Sequence, residues 1–331
     1  MTMSEILKPA KHRQTRYQGA PLLDPPEVLK IPSATTHPEK AREDLATYGL
    51  CLLKDALTEK EVNKLRQGLD RQAQAERDLA DQAPPGTLAV QQSISNMVNK
   101  GKMFLNLVER PIVDDLAGFL LGKDFLISSL TAGVFHGPTA EPQQLHRDQG
   151  QVPATADFPA ACNVFWLLDD FRPERGSTYV VPGSHRWPSA YQVEPPPRSL
   201  ASQIEADAGT LFVFDGRIWH GYGANLEGHP RRHLANFLCL PWMRQQENWG
   251  VTCLQEVLEE ASPKLKRRLG LRTYGTLGMM NGTRTQLTQR SLGNYDVTVP
   301  DYIIGELGQL HKTRRVSRKP ANHETASEES P

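Results

Sequence analysis

The feature that most constrains the fold is a series of short runs, rich in β-branched and aromatic residues, between residues 125 and 240. Glycine and proline separate these runs, which is the usual punctuation of turns. Many short strands with such turns favour an antiparallel sandwich or barrel. The predicted strands cover residues 125–135, 162–168, 177–181, 210–214 and 233–240.

Helical patterns lie on both sides of this β-rich region. Thr58 and Glu61 have the spacing of a capping box, and the apolar residues that follow fall on one helical face. Thr36 is a candidate cap for an earlier helix that leads into the apolar run 50–53. The predicted helices cover about residues 36–49, 58–80, 111–122 and 251–269. We therefore predict a mainly β core covered by N- and C-terminal helices.

The domain organisation follows from these patterns and from composition. A chain of 331 residues can bury a substantial core in one large domain. We expect an N-terminal arm (1–33), one domain (34–275), a C-terminal extension (276–311) and a disordered tail (312–331). The polar loop at 82–101 is long enough for a lid over a site, although plain disorder explains its composition equally well.

Charge and cysteine content exclude several classes of protein. Lys and Arg total 38 and Asp and Glu total 38, so the formal net charge is zero. The chain therefore lacks the overall positive charge that sequence-independent binding of nucleic acid or anionic membranes requires. Its longest apolar run, 164–168, is far too short to span a bilayer. The four cysteines are scattered without a CxxC pair, and no secretory signal is visible at the start. We expect a cytoplasmic protein, with its oligomeric state open.

Candidate metal ligands occur in two separate segments. In an extended chain, His146 and Asp148 project to the same side, because they are two residues apart. His220 follows the apolar run 210–214 and is the candidate third ligand. Two histidines and one carboxylate form the facial triad of non-haem Fe(II) oxygenases, which leaves coordination positions open.

An arginine beyond the third ligand strengthens this hypothesis. Arg231 lies eleven residues after His220, at the start of the next β-run. Its planar guanidinium is suited to bind the distal carboxylate of a 2-oxoglutarate co-substrate in a bidentate manner. Arg232 is the adjacent alternative, and alternation along a strand sends the two side chains to opposite faces.

Together these motifs resemble the phytanoyl-CoA dioxygenase family of Fe(II)/2-oxoglutarate oxygenases. The resemblance covers about residues 44–269 and rests on five ordered motifs: Asp-Leu-Ala-Thr-Tyr-Gly from residue 44, Gln-Gln-Leu-His-Arg-Asp from 143, Leu-Asp-Asp from 168, Val-Pro-Gly-Ser-His-Arg from 181, and His220 with Arg231. The second and fourth motifs are most similar to those of natural-product-tailoring members. Where some relatives have a serine two residues after the distal histidine, this chain has Tyr222.

The resemblance implies a double-stranded β-helix, or jelly roll, that hydroxylates an unactivated C–H bond of a small organic molecule with O₂. It implies Fe(II) on His146, Asp148 and His220, and 2-oxoglutarate on Arg231. Further candidates for co-substrate contacts are Gln143, Gln144 and Thr178.

Two other classes remain open on the residues alone. Zinc also accepts two histidines and a carboxylate, so a metal-dependent hydrolase is one alternative. A non-catalytic ligand-binding barrel is the other. On the predicted strand 162–168, one of the alternating pairs Asn163 with Phe165 and Val164 with Trp166 should line a cavity while the other packs on helices. For His233, a local structural partner is the expected role.

Overall fold

The structure is a computed structural model that describes residues 27–79, 87–139, 141–279 and 302–312. Its helices are α1 (Pro38–Tyr48), α2 (Glu59–Asp78), α3 (Lys102–Val108), α4 (Pro111–Leu121), α5 (Trp249–Thr252), α6 (Gln255–Glu260) and α7 (Pro263–Arg268). Its strands are β1 (Leu50–Leu53), β2 (Gln91–Ile94), β3 (Leu126–Phe135), β4 (Ala161–Leu167), β5 (Thr178–Val180), β6 (Ser202–Gln203), β7 (Leu211–Asp215), β8 (His220–Tyr222), β9 (Arg231–Cys239), β10 (Tyr302–Ile304) and β11 (Leu310–Lys312).

A large antiparallel sheet of six strands dominates the fold, in the order β1-β7-β4-β9-β3-β2. The five strands predicted between residues 125 and 240 all form, with their ends shifted by at most two residues. Strand β2 was not predicted, because its sequence, Gln-Gln-Ser-Ile, is mostly polar and lies within the region assigned to a loop. Residues 82–86 of that loop lie outside the described residues.

The two faces of the large sheet have different surroundings. Val164 and Trp166 of β4 are fully buried in the main hydrophobic cluster, together with apolar residues of α1, α2 and α4. Asn163 and Phe165 face the opposite way and line a cavity. The predicted alternation along this strand is therefore confirmed, since successive strand residues point to opposite faces.

A smaller sheet covers the cavity face. It has three strands in the order β6-β5-β8. Residues 143–146 run beside β8, where the backbone N–H groups of His146 and His220 each donate to the other residue's carbonyl at 2.9 Å. The His146 segment is thus joined to the His220 strand by backbone hydrogen bonds, and the cavity lies between the two sheets.

The helix signals in the sequence were mostly correct. The capping box of Thr58 and Glu61 is present at the start of α2. Gly49 ends α1 with a left-handed φ of 76°. The prediction that Thr36 caps α1 is wrong. Because Pro38 is the first helical residue, His37 occupies the N-cap position, and its side chain makes no capping hydrogen bond. The C-terminal helical region is divided into the three short helices α5, α6 and α7.

The terminal segments are described only in part. Residues 1–26 of the predicted arm and 313–331 of the predicted tail lie outside the described residues. Strands β10 and β11 form a hairpin, so Lys312 belongs to a strand rather than to a tail. The hairpin is tied to α2 by Gln72, whose amide donates to the carbonyl of Gly305 at 3.2 Å. Within the described ranges, no helix is long and apolar enough to cross a membrane.

Candidate active site

The structure brings His146, Asp148 and His220 together in the cavity between the two sheets. One possible ligand atom from each residue lies within 4.8 Å of the others. His146 Nε2 is 3.4 Å from Asp148 Oδ1, and His220 Nε2 is 3.3 Å from Asp148 Oδ2. Two imidazole nitrogens and one carboxylate, converging from two segments, are a donor set that suits Fe(II) and leaves other coordination positions open.

Backbone carbonyls orient both imidazoles. His220 Nδ1 lies 3.0 Å from the carbonyl oxygen of Ile218, and His146 Nδ1 lies 3.2 Å from that of Gln144. Because a carbonyl only accepts, each Nδ1 carries a proton, which leaves Nε2, the atom nearest Asp148, as the nitrogen that can bind a metal ion once it is deprotonated. Asn163 donates a hydrogen bond to Asp148 Oδ2 and fixes the carboxylate from the large sheet.

The electrostatics of the triad favour an ionised carboxylate. Burial alone would raise the pKa of Asp148, but the charge of His220 and hydrogen bonds from His146 and His220 outweigh it and hold that pKa below its usual range. Burial opposes protonation of His146, whereas the hydrogen bond and charge of Asp148 raise its pKa overall. A cation placed between these groups would take over the stabilising role of the imidazolium protons.

The turn between β7 and β8 positions His220. Asp215 is fully buried and accepts hydrogen bonds from Arg217 at 2.7 Å from Nη2 and at 2.9 Å from its backbone N–H. Gly216 passes so close to β4 that an added Cβ would lie 2.9 Å from the carbonyl oxygen of Ala161. The turn is therefore tight and held internally, which fixes where the following strand starts.

Arg231 and Arg232 point to opposite faces, as the alternation predicts. Arg231 is 2% exposed, and its Nε and Nη1 atoms have no hydrogen-bond partner among the described residues. Its guanidinium lies 4.0 Å from the ring centre of Phe135 and 4.9 Å from that of Phe171. Burial lowers the pKa of Arg231 to about 9. An unpaired buried cation is costly, so this geometry suits a bound carboxylate.

The cavity has a volume of about 310 Å³ and holds the triad and Arg231 together. Of the other predicted co-substrate residues, Gln143 and Thr178 line it. Gln144 is exposed and does not line it; its contribution is the carbonyl that orients His146. Gln143 is fixed by the backbone N–H of Tyr222, which donates to its Oε1 at 3.3 Å.

The sequence did not predict several of the residues that line the cavity. One is His233, for which a local structural role was expected. The others are polar side chains: Gln91, Ser129, Thr131 and Gln246. For β3 and β9, the strand period could have found Thr131 and His233, since each shares a face with a neighbouring lining residue. Nothing in the sequence marks Gln246, because it lies in a loop after β9.

A family comparison agrees with this site. The family model for phytanoyl-CoA dioxygenase (PhyH) matches residues 45–233, which is more than half of the chain. The chain belongs to the phytanoyl-CoA dioxygenase family. The match contains both segments of the triad and Arg231, so the resemblance inferred from the five motifs is confirmed.

Several curated relatives of this family member are named dioxygenases. Dioxygenase af480 of Aspergillus fumigatus is 36% identical over 187 residues, which is 56% of this chain and 60% of that protein. Dioxygenase aneA of Aspergillus aculeatus is 29% identical over 193 residues, 54% of this chain and 63% of that protein. The chain thus spans about 60% of the length of these relatives.

Among solved structures, AviO1 from Streptomyces viridochromogenes Tue57 has a TM-score of 0.50 at 20% sequence identity. The match covers 63% of this chain and 98% of that one. It shows that this family member shares its overall fold with AviO1.

Proposed function

We propose that the protein is a non-haem Fe(II)/2-oxoglutarate-dependent dioxygenase that hydroxylates an unactivated C–H bond of a small organic molecule. The single observation that carries the proposal is Arg231, a buried guanidinium with unpartnered nitrogens, in the same cavity as a His-Asp-His cluster. The cluster alone would also serve a metal hydrolase, whereas an unpaired guanidinium in the same cavity favours a co-substrate that carries a carboxylate.

In this proposal, His146, Asp148 and His220 hold Fe(II), and Arg231 binds the distal carboxylate of 2-oxoglutarate. When bound, the iron and its co-substrate supply the activation of O₂ that oxidises the C–H bond. The protein's contribution is orientation. The carbonyls of Gln144 and Ile218 fix the imidazoles, and Asn163 fixes the carboxylate.

Burial of the co-substrate end excludes water. Phe135 and Phe171 enclose the guanidinium of Arg231, and Phe165 lines the same cavity. In such a low-dielectric site, the attraction between a guanidinium and a carboxylate is stronger than in water. Co-substrate binding would therefore offset the cost of burying Arg231 unpaired.

We further propose that the substrate is a natural product or a similar small molecule, supported by the form of the Gln-Gln-Leu-His-Arg-Asp and Pro-Gly-Ser-His-Arg motifs. The cavity mouth offers neutral hydrogen-bonding groups, such as Ser129 and Gln246, which suit hydroxyl or carbonyl groups. The two facing sheets support a jelly-roll core within residues 34–275, with residues 276–311 as an extension of it.

The decisive experiment is an anaerobic titration of Fe(II)-loaded protein with 2-oxoglutarate, followed by visible absorption. A metal-to-ligand charge-transfer band is expected in the wild type. The band should be lost in His146→Ala, which removes a metal ligand. In Arg231→Ala it should require much higher 2-oxoglutarate, because the carboxylate loses its cation.

Arg232→Ala is the matched control, since this side chain is bound to Asp169 and Asp70 on the opposite face. It should give the wild-type titration. A folded, iron-loaded wild type that gives no band at millimolar 2-oxoglutarate would overturn the proposal and favour the hydrolase or the non-catalytic binding protein.

A further inference from the structure

A second buried nitrogen group lies beside Arg231. His233 follows it by two residues in β9, so both side chains project from the same face of the sheet. Both line the cavity, and His233 Nδ1, like the two Arg231 nitrogens, has no hydrogen-bond partner among the described residues. Three such nitrogens in one wall are costly to bury unless a ligand interacts with them.

Neighbouring strands hold the imidazole of His233 in place. On one side, Phe165 of β4 stacks on it with ring centres 5.0 Å apart and an interplanar angle of 23°. On the other side, Gly133 is its register partner in β3, and an added Cβ there would lie 2.3 Å from His233 Cε1. Only glycine leaves room for the ring, which is therefore confined with part of its surface toward the cavity.

The position of His233 lies between the triad and Arg231. Along β9 the cavity-facing residues are Arg231, His233, Ala235 and Phe237 in that order. Phe237 pairs in register with Asn163, which holds the triad carboxylate. A ligand that spans from the triad to Arg231 must therefore pass His233.

The charge state of His233 suits a donor rather than a second cation. Burial, together with the nearby charge of Arg231, lowers its pKa to about 3, so the imidazole is neutral at pH 7. A neutral imidazole carries one N–H, which can donate to a carboxylate oxygen without adding to the buried charge.

We propose that His233 determines specificity for the 2-oxo acid: its N–H donates to the carboxylate that Arg231 binds, and its ring limits the length of the chain between that carboxylate and the metal. This inference rests on the proposed function and assigns a further residue to its co-substrate site.

The test separates the effect of the His233 N–H donor from the effect of the size of its ring. His233→Phe keeps a flat ring between Phe165 and Gly133 but removes the N–H, whereas His233→Asn keeps an N–H donor on a shorter side chain. Binding of 2-oxoglutarate and of 2-oxoadipate, which is one methylene longer, is measured by anaerobic calorimetry on the Fe(II)-loaded protein. His229→Phe, a change at an exposed histidine, is the control.

We expect His233→Phe to bind both acids about tenfold more weakly, because a hydrogen bond to a charged group is lost, and to keep the wild-type preference for the shorter acid. His233→Asn should bind 2-oxoglutarate within about threefold of wild type but lose most of that preference. A general structural defect would not lower affinity alone in one variant and length preference alone in the other.

The inference is wrong if both variants match wild type in affinity and in preference while the wild type binds 2-oxoglutarate. If the iron-loaded wild type binds no 2-oxo acid, the proposed function fails as well. Should His233→Phe not fold, Gly133→Ala serves instead, since its added Cβ displaces the ring. It should weaken 2-oxoglutarate binding, and wild-type binding by Gly133→Ala would contradict the inference.

Discussion

Arg231 and Arg232 are neighbours in sequence but belong to two different regions of the molecule. The side chain of Arg232 projects from the helix-facing side of the large sheet, where it forms ion pairs with Asp169 at 2.9 Å and with Asp70 at 2.6 Å. Arg231 projects from the cavity side, and two of its nitrogens have no partner in the part of the chain that the structure describes. On the helix side the charge is neutralised within the protein, whereas on the cavity side a bound carboxylate would supply the partner in the proposed function.

This difference indicates a division of roles between the faces. The helix-facing side carries most of the packing, since Val164, Trp166 and Leu234 belong to the main hydrophobic cluster. On the cavity side, nitrogens of Arg231 and His233 have no partner within the described ranges. Packing on the helix-facing side offsets the cost of burying the Arg231 guanidinium without a partner on the cavity side.

The largest expected effect on stability is at Trp166. Its side chain is fully buried, and the guanidinium of Arg110 lies 5.4 Å from its ring centre. Trp166→Ala should lower the free energy of unfolding by about 3–5 kcal/mol, measured by urea denaturation, because it leaves a large cavity in a packed core. Phe165→Ala, on the cavity side, should cost clearly less. Equal losses would contradict the division between the faces.

Substitution of the two arginines by alanine should have opposite effects on 2-oxoglutarate binding and on stability. Arg231→Ala should weaken 2-oxoglutarate binding by roughly 100-fold while leaving the thermal midpoint of the ligand-free protein unchanged or higher, because an unpaired buried charge is removed. Arg232→Ala should leave binding within about threefold and lower the free energy of unfolding by about 1–3 kcal/mol, because Asp169 loses a partner. Calorimetry and urea denaturation measure both, and similar profiles for the two variants would refute the comparison.

Acid should destabilise the protein through two histidines whose pKa values are lowered by the fold, the buried His185 and the partly buried His233. Burial lowers the pKa values of His185 and His233 to about 3 each. Below pH 6.5 the unfolded chain takes up protons at these sites and the folded chain does not, so the free energy of unfolding falls as pH falls. His185 alone should contribute about 1.4 kcal/mol per pH unit. Urea denaturation at pH 6.5 and pH 5 measures how steeply the free energy of unfolding falls with pH, and His185→Gln should reduce this dependence. If the dependence is unchanged in His185→Gln, protonation of His185 is not its cause.

The smallest expected effect is at Asn236, a polar residue on the helix-facing side. Its side chain is fully buried, and its Oδ1 and Nδ2 have no partner among the described residues. Asn236→Leu should therefore raise the free energy of unfolding by about 1 kcal/mol, since an unsatisfied amide is replaced by apolar volume. Asn236→Ala, which also removes the amide but leaves a void, is the control. A loss of stability in Asn236→Leu would show that the amide contributes to the core.

Local patterns predicted the elements better than their connections. The capping box of α2 and the strand alternation at Val164 and Trp166 depend on neighbouring residues, so they were predictable. Strand β2 was missed because its residues are mostly polar and its pairing with β3 is a long-range contact. Gln246 was missed for a similar reason, since a loop side chain reaches the cavity only through the fold.

By itself, the sequence predicted the candidate ligand set: the His-x-Asp step and the distal histidine follow from residue types and a strand period of two, and Arg231 was favoured over Arg232 by its spacing from His220. Only the tertiary structure decided which nitrogens remain unpaired and which side chains face them. Pairing of β9 with β3 and β4 confines His233 between Gly133 and Phe165, and such contacts join residues about 70 to 100 positions apart in the chain, beyond the reach of any local pattern.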